Sequence, residues 1–206
     1  MKQTLSLFIL LSFFFVSRTI QSQDIVCKTD TPSLSFLKGV IDIKVEFIYE
    51  IETINGNQTE IDFVADQKKN RNIKNPGMGD KWEKEWIQNR SFLFNPSFSG
   101  EFNRKTKGKL SLNDACQNCQ YKMEVHIKAL RTGKDNKIST MIGQVPAGGN
   151  FRIDILDSSQ KVLASFQMNN MNVMITPRND DNFYPWINQA FAKAGKLVAT
   201  EILKKL

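Results

Sequence analysis

Three segments of this chain alternate between apolar and polar residues, a pattern compatible with few folds. In the first, Ile41, Ile43, Val45, Phe47 and Tyr49 alternate with Asp42, Lys44 and Glu46. In the second, Tyr121, Met123, Val125, Ile127 and Ala129 alternate with Lys122, Glu124, His126 and Lys128. The third runs from Phe151, Ile153 and Ile155 to Val162, Ala164, Phe166 and Met168, around a break at Asp157-Ser158-Ser159-Gln160. Successive side chains of a strand point to opposite faces, so each segment predicts a strand with one apolar face. The break in the third predicts a hairpin with Asp157 fixing its turn.

The segments between are expected to hold helices. After a turn at Asn55-Gly56, a short strand is expected around Glu60–Val64, and residues 66–79 read as a polar exposed loop. Asp80 is the expected N-cap of a helix, with Trp82, Trp86, Asn89 and Leu93 on one face. Pro96 suits the start of a second helix, anchored by Phe98 and Phe102 and closed by Gly108. Lys137–Val145 reads as a strand ending before Pro146 and a Gly148-Gly149 loop, and Met171–Ile175 as an extension of the hairpin's second arm.

Near the C-terminus, Asp180 or Asp181 is the expected cap of a helix over residues 183–206, with Pro185 in its first turn. Ile187, Ala190, Phe191, Ala194, Leu197, Val198 and Ile202 form its apolar stripe, with Phe191 buried and Lys193 in solvent. This order of elements predicts an α+β fold: a mainly antiparallel sheet with helices packed on one face and a C-terminal amphipathic helix.

Residues 1–22 read as a secretory signal peptide. Lys2 precedes a twelve-residue apolar run, Leu5–Val16, interrupted only by Ser6 and Ser12. That run is shorter than the roughly 20 residues a membrane-spanning helix needs. Cleavage is expected after Ser22, with an uncleaved anchor as the alternative. Residues 23–38 read as a flexible leader and 39–206 as a single domain. Loss of Lys2 and Arg18 would lower the formal net charge from +7 to +5. The remaining cations are scattered over several loops, unlike the single basic face of a nucleic-acid binder. They suit solvated loops or peripheral contact with an anionic envelope surface.

An exported protein meets oxidising conditions, and this one holds three cysteines, Cys27, Cys116 and Cys119. Cys116 and Cys119 are the expected local disulfide, with pairing of Cys27 to either as the alternative. The pair precedes a strand rather than opening a helix, which favours a structural bond over a redox centre.

The run Tyr121-Lys-Met-Glu-Val-His-Ile-Lys-Ala-Leu-Arg-Thr-Gly, then Phe151-Arg-Ile-Asp-Ile-Leu-Asp157, then Lys161-Val-Leu-Ala-Ser-Phe166 and the Ala-rich terminal helix, resembles a known pattern. It is similar to the small α/β domain of bacterial envelope assembly proteins, represented by the curli secretion channel protein and the N-terminal domain of the Tol-system periplasmic protein. In that group a Thr-Gly turn follows the strand-ending Asp; here Ser159-Gln160 stands in its place, and the channel-forming hairpins are not evident. The resemblance implies the fold and an envelope setting, and no functional residues.

No catalytic set emerges from the residues. His126 is the only histidine and, on the polar side of a strand, is expected to be solvated. No Gly-x-Ser-x-Gly elbow accompanies it, and a zinc site would need ligands beyond the Cys pair. Asp154 and Asp157 are carboxylates available in principle for acid–base work. Gly148-Gly149 lacks the Gly-Lys-Ser/Thr of a phosphate loop. The aromatic residues Trp82, Trp86, Phe94 and Phe98 are candidates either for the core or for a groove binding a peptide, glycan or lipid. Asn57 and Asn89 match glycosylation acceptor patterns.

The expected function is an exported, non-enzymatic binding or assembly module of the cell envelope, periplasmic or extracellular, meeting an envelope protein or glycan and requiring no cofactor or metal. A small secreted enzyme (thiol oxidoreductase or hydrolase) and a carrier of an apolar ligand are the alternatives.

Overall fold

The computed structural model describes residues 28–29, 33–133, 145–175 and 183–206. The expected signal segment, Cys27, Asp180, Asp181 and most of the strand expected at 137–145 lie outside these residues. Among the described residues six strands form one sheet: β1 (Lys28–Thr29), β2 (Asp42–Ile54), β3 (Ser111–Asn113), β4 (Lys122–Thr132), β5 (Val145–Leu156) and β6 (Val162–Ile175). The helices are α1 (Glu60–Lys74), α2 (Met78–Asn89), α3 (Asn95–Thr106) and α4 (Tyr184–Lys205). The strand order is β1-β6-β5-β4-β2-β3.

The fold is α+β as expected and the sheet is mainly antiparallel, though mixed and not purely so. β1, β6, β5 and β4 pair antiparallel, whereas β2 is parallel to both β3 and β4. The cause is the connection: three helices separate β2 from β3, and such a crossover returns the chain in the direction it left.

The alternating segments form strands as predicted, although Ile41, just before β2, and Val162, at the start of β6, are exposed. Val45, Met123, Val125, Ile127, Phe151, Ile153, Ile155, Ala164, Phe166 and Met168 are all buried, and the strand register brings them onto one face. Helices cover that face. Phe191 of α4 stands edge-on to Phe151 at 5.2 Å, and Phe98 of α3 edge-on to Phe47 at 5.6 Å. Phe191 is fully buried. The two helices pack so closely that a Cβ on Gly195 would lie 2.1 Å from the Phe98 carbonyl oxygen. Lys193, expected in solvent, is part-buried and donates from Nζ to the Asn172 carbonyl at 3.0 Å. Burial lowers the pKa of its ammonium group. The α4 cap position belongs to Phe183, whose ring packs at 5.8 Å from Phe63, and it makes no side-chain capping bond.

Three further expectations are corrected. The strand at Glu60–Val64 and the loop at 66–79 are largely helix α1. Thr59 caps it, its Oγ1 accepting from Asp62 N–H at 3.1 Å. The apolar stripe that would reveal this helix is missing, because within it only Phe63 is buried. Lys68 instead ties it to α2 through Asp80 at 2.9 Å and Glu83 at 2.8 Å. Asp80 therefore lies in the first turn of α2, whose cap is Gly77 at φ 85°. The Gly148-Gly149 pair lies inside β5 and not in a loop. Any side chain at Gly148 would place its Cβ 1.8 Å from the Met171 carbonyl oxygen on β6. Finally, α2 and α3 are joined by a π-helical turn, Arg90–Phe94, with Pro96 entering at the start of α3.

Candidate functional site: the polar face of the sheet

The residues alternating with the core positions converge on the opposite face of β2, β4 and β5. Glu46 pairs with Glu124, Glu124 with Asp154, and Asp154 with Ser165. Three carboxylates thus form a row across three neighbouring strands. Like charges directly opposite one another are destabilising, and the flanking rows offset this. On one side Lys44 pairs with Lys122; on the other His126 pairs with Arg152. Lys44 Nζ lies 2.7 Å from Glu46, and Lys122 Nζ lies 2.7 Å from Glu124 and 3.6 Å from Glu46. Arg152 donates to Asp154 Oδ2 from Nε at 2.8 Å and from a terminal nitrogen at 2.5 Å. Ser165 Oγ donates to Asp154 Oδ1 at 2.6 Å. Beyond the row, Lys128 bonds Glu50.

These contacts set the protonation of the face. Burial pushes the Asp154 carboxyl up, but bonds from Arg152 and Ser165 and the charges of Arg152 and His126 outweigh it, so its pKa is lowered. The bond from Lys44 holds Glu46 down, the bond from Lys128 holds Glu50 down, and the bond to Glu124 holds Lys122 up.

His126 departs from expectation. Its residue is 8% exposed, and neither ring nitrogen has a hydrogen-bond partner. Three carboxylates surround it: Glu124 at 3.4 Å and Asp154 at 3.8 Å from Nε2, and Glu50 at 3.5 Å from Nδ1. A histidine on the polar side of a strand was expected in solvent; here neighbours from β2 and β5 close over it. Asp154, seen in sequence only as a possible acid or base, is 1% exposed. Alternation put Glu124 and His126 on one face, but only the strand register shows which side chains from β2 and β5 meet them. Among the described residues no group of three His, Cys, Asp or Glu is arranged to hold a metal ion.

The candidate aromatics lie elsewhere. Trp82, Trp86, Phe94 and Phe98 are 6, 1, 1 and 0% exposed, so all four belong to the core. Trp82 stacks on Trp86 at 5.9 Å, and Phe94 stacks on Phe191 at 5.4 Å. Trp86 Nε1 donates to Glu60 Oε1 at 2.7 Å. Their rings join helices to one another instead of lining a groove. Cys116 and Cys119 are bonded to each other, beside a groove of about 600 Å³ lined in part by Phe36, Val40 and Tyr121. Asp157 fixes the β5–β6 turn, its Oδ1 accepting from Ser159 N–H at 2.9 Å and Lys161 N–H at 3.0 Å.

No described helix is long and apolar enough to cross a membrane. No family model matches the chain, and no curated protein matches it. Among solved structures, the PelC dodecamer from Paraburkholderia phytofirmans aligns at 13% identity and a TM-score of 0.36, covering 84% of this chain and 96% of that one. A DUF330 protein from Xanthomonas campestris aligns at 9% identity and a TM-score of 0.32, covering 88% and 91%. A homolog of a neuraminyllactose-binding hemagglutinin from Helicobacter pylori aligns at 12% identity and a TM-score of 0.27, covering 79% and 82%.

Proposed function

We propose that the mature chain is an exported, non-enzymatic binding or assembly module of the bacterial cell envelope, and that the polar sheet face engages an envelope protein. The observation that carries this reading is the acidic row Glu46–Glu124–Asp154 set between basic neighbours, on the face opposite the one that α3 and α4 cover. Charges arranged in rows select a partner by complementarity more than they add raw affinity. Each charge is already held in place by a neighbour, so the part-exposed Lys44, Glu46, Lys122 and Glu124 are presented preorganised beside the buried Asp154. The signal-like leader and the resemblance to envelope assembly domains supply the setting.

The test compares capture from an envelope extract by the mature protein and by Glu46→Lys/Glu124→Lys, which breaks the row. The expected result is one envelope protein retained by the wild type, released by raised salt, and captured at least tenfold less by the variant. Competition by protein-free envelope polysaccharide would make the partner a glycan. Equal capture by both forms would remove the polar face from the reading. Substrate turnover by the purified protein, with nothing captured, would replace the module with an enzyme.

A further inference from the structure

The Cys116–Cys119 bond closes an unusual connection. β3 and β4 flank β2 on opposite sides and both run parallel to it, with Asn113 and Lys122 each paired to Lys44. The residues from Asp114 to Tyr121 must therefore strap across the start of β2. Parallel strands are ordinarily joined by a dozen or more residues, so this strap is short.

Its two ends are anchored. Ala115 N–H donates to Asn113 Oδ1 at 3.0 Å, and Cys116 N–H to the Asn113 carbonyl at 3.5 Å. At the far end Lys44 N–H donates to the Tyr121 carbonyl at 3.1 Å, and the Tyr121 ring lies 5.3 Å from that of Phe36. Between these anchors, among the described residues, no hydrogen bond reaches Gln117, Asn118, Cys119 or Gln120. The disulfide, with its Cα atoms 5.8 Å apart, is the tie that holds this half. Cys116 and Asn118–Tyr121 form one wall of the groove whose other wall is Phe36 and Lys38–Asp42. β3 itself does not depend on the strap. Asn103 clamps Leu112 from α3, donating to its carbonyl at 3.1 Å and accepting its N–H at 2.7 Å.

We propose that the Cys116–Cys119 bond is a redox-sensitive fastener: reduction by a dithiol frees the strap and opens the groove while β3 and the rest of the sheet stay in place. One thiolate of the dithiol attacks a cystine sulfur, breaking the S–S bond, forming a mixed disulfide and expelling the other cysteine as a thiolate. The second thiol of the reductant then attacks its own sulfur in the mixed disulfide, closing the reductant's disulfide and releasing the remaining cysteine. Two electrons pass from the dithiol to the cystine, and two protons finish on the cysteine thiols. The bond closes so short a loop that it constrains the unfolded chain far less than a long-range disulfide would. It can therefore be cut without loss of the fold.

The test uses the mature chain carrying Cys27→Ser, so that no third thiol takes part. Backbone amide order parameters are measured by NMR before and after addition of dithiothreitol, and for Cys116→Ser/Cys119→Ser without reductant. The expected result is a fall at Gln117–Gln120 from about 0.85 to below about 0.6 in both the reduced protein and the variant, with Leu112 and Val125 unchanged. A strap that keeps its order when reduced would overturn the proposal. So would loss of signal dispersion across the whole spectrum, which would make the bond a requirement of the fold.

Discussion

The two faces of the sheet are made by the same strands, residue by residue, yet they are held together differently. On one face Phe47 and Phe151 meet the rings of α3 and α4, with Ile153 and Phe166 buried in the same cluster, and any apolar group of suitable volume would serve much of that purpose. On the other, Asp154 is buried only because Arg152 and Ser165 satisfy its oxygens and His126 lies beside it. The apolar face is tolerant of partner identity and intolerant of lost volume. The polar face reverses this: volume matters little, and each partner has to be the right one.

The widest gap between the faces should appear when Phe191 is cut back. Phe191→Ala is expected to cost about 3–5 kcal/mol, a large share of a typical stability of 5–15 kcal/mol. Urea unfolding measures it. An unchanged midpoint would mean that α4 is a docking element and that the apolar face closes without it.

Asp154→Asn probes the other face and is expected to cost about 1–3 kcal/mol at neutral pH. The lower part of that range applies at high salt, since Arg152 is half exposed. The folded state lowers the pKa of Asp154. Its contribution is therefore complete above the ordinary aspartate value of about 3.9 and is lost as pH falls through the depressed one. Wild type and variant should differ at pH 7 and converge on acidification below pH 4. A difference independent of pH would show that the face is held by packing after all.

Lys193→Ala gives the smallest change and sits between the two regimes, on α4 but bonded to the β6 backbone. Loss of its bond to Asn172 is expected to cost about 0.5–1 kcal/mol by the same unfolding assay. A value indistinguishable from zero would return it to the solvent-facing role that helical periodicity suggests.

How legible these regions were follows from the same contrast. The apolar face could be read directly, because alternation at Tyr121–Ala129 and Phe151–Met168 is a property of one strand at a time. Phe191 was equally plain from the stripe of α4. The polar cluster was not, because burial of His126 depends on Glu50 and Asp154 arriving from other strands in one register. α1 escaped because Phe63 is its one buried residue: that ring packs on Trp82 and Trp86 of α2, and Lys68 adds ion pairs to α2, so no apolar stripe marks the helix. The Gly148-Gly149 pair reads as a loop when glycine is taken for freedom, whereas here Gly148 permits close approach of β5 to β6 and Gly149 of β5 to β4. The aromatic window was visible as a unit, and its helical spacing pointed to the core, with a groove as the alternative.

The π-helical turn at Arg90–Phe94 has a consequence for how this chain tolerates change in length. Each residue of an α-helix advances about 100° around its axis, and a π turn spends one residue more than the α-helical count on its loop. α2 and α3 are therefore one helical rod with a phase offset in the middle. Upstream of it Trp82 and Trp86 face α1 and Phe183; downstream Phe98 and Phe102 face the core. Removing a single residue inside the turn would let it close as ordinary α-helix and leave the side chains of α3 on their present faces, because the π turn holds its extra residue without an extra step of rotation. In most of this domain an inserted or deleted residue would be absorbed by a loop. Here a continuous helix has the same tolerance, because the π turn already carries a spare residue that can be lost without turning the rod.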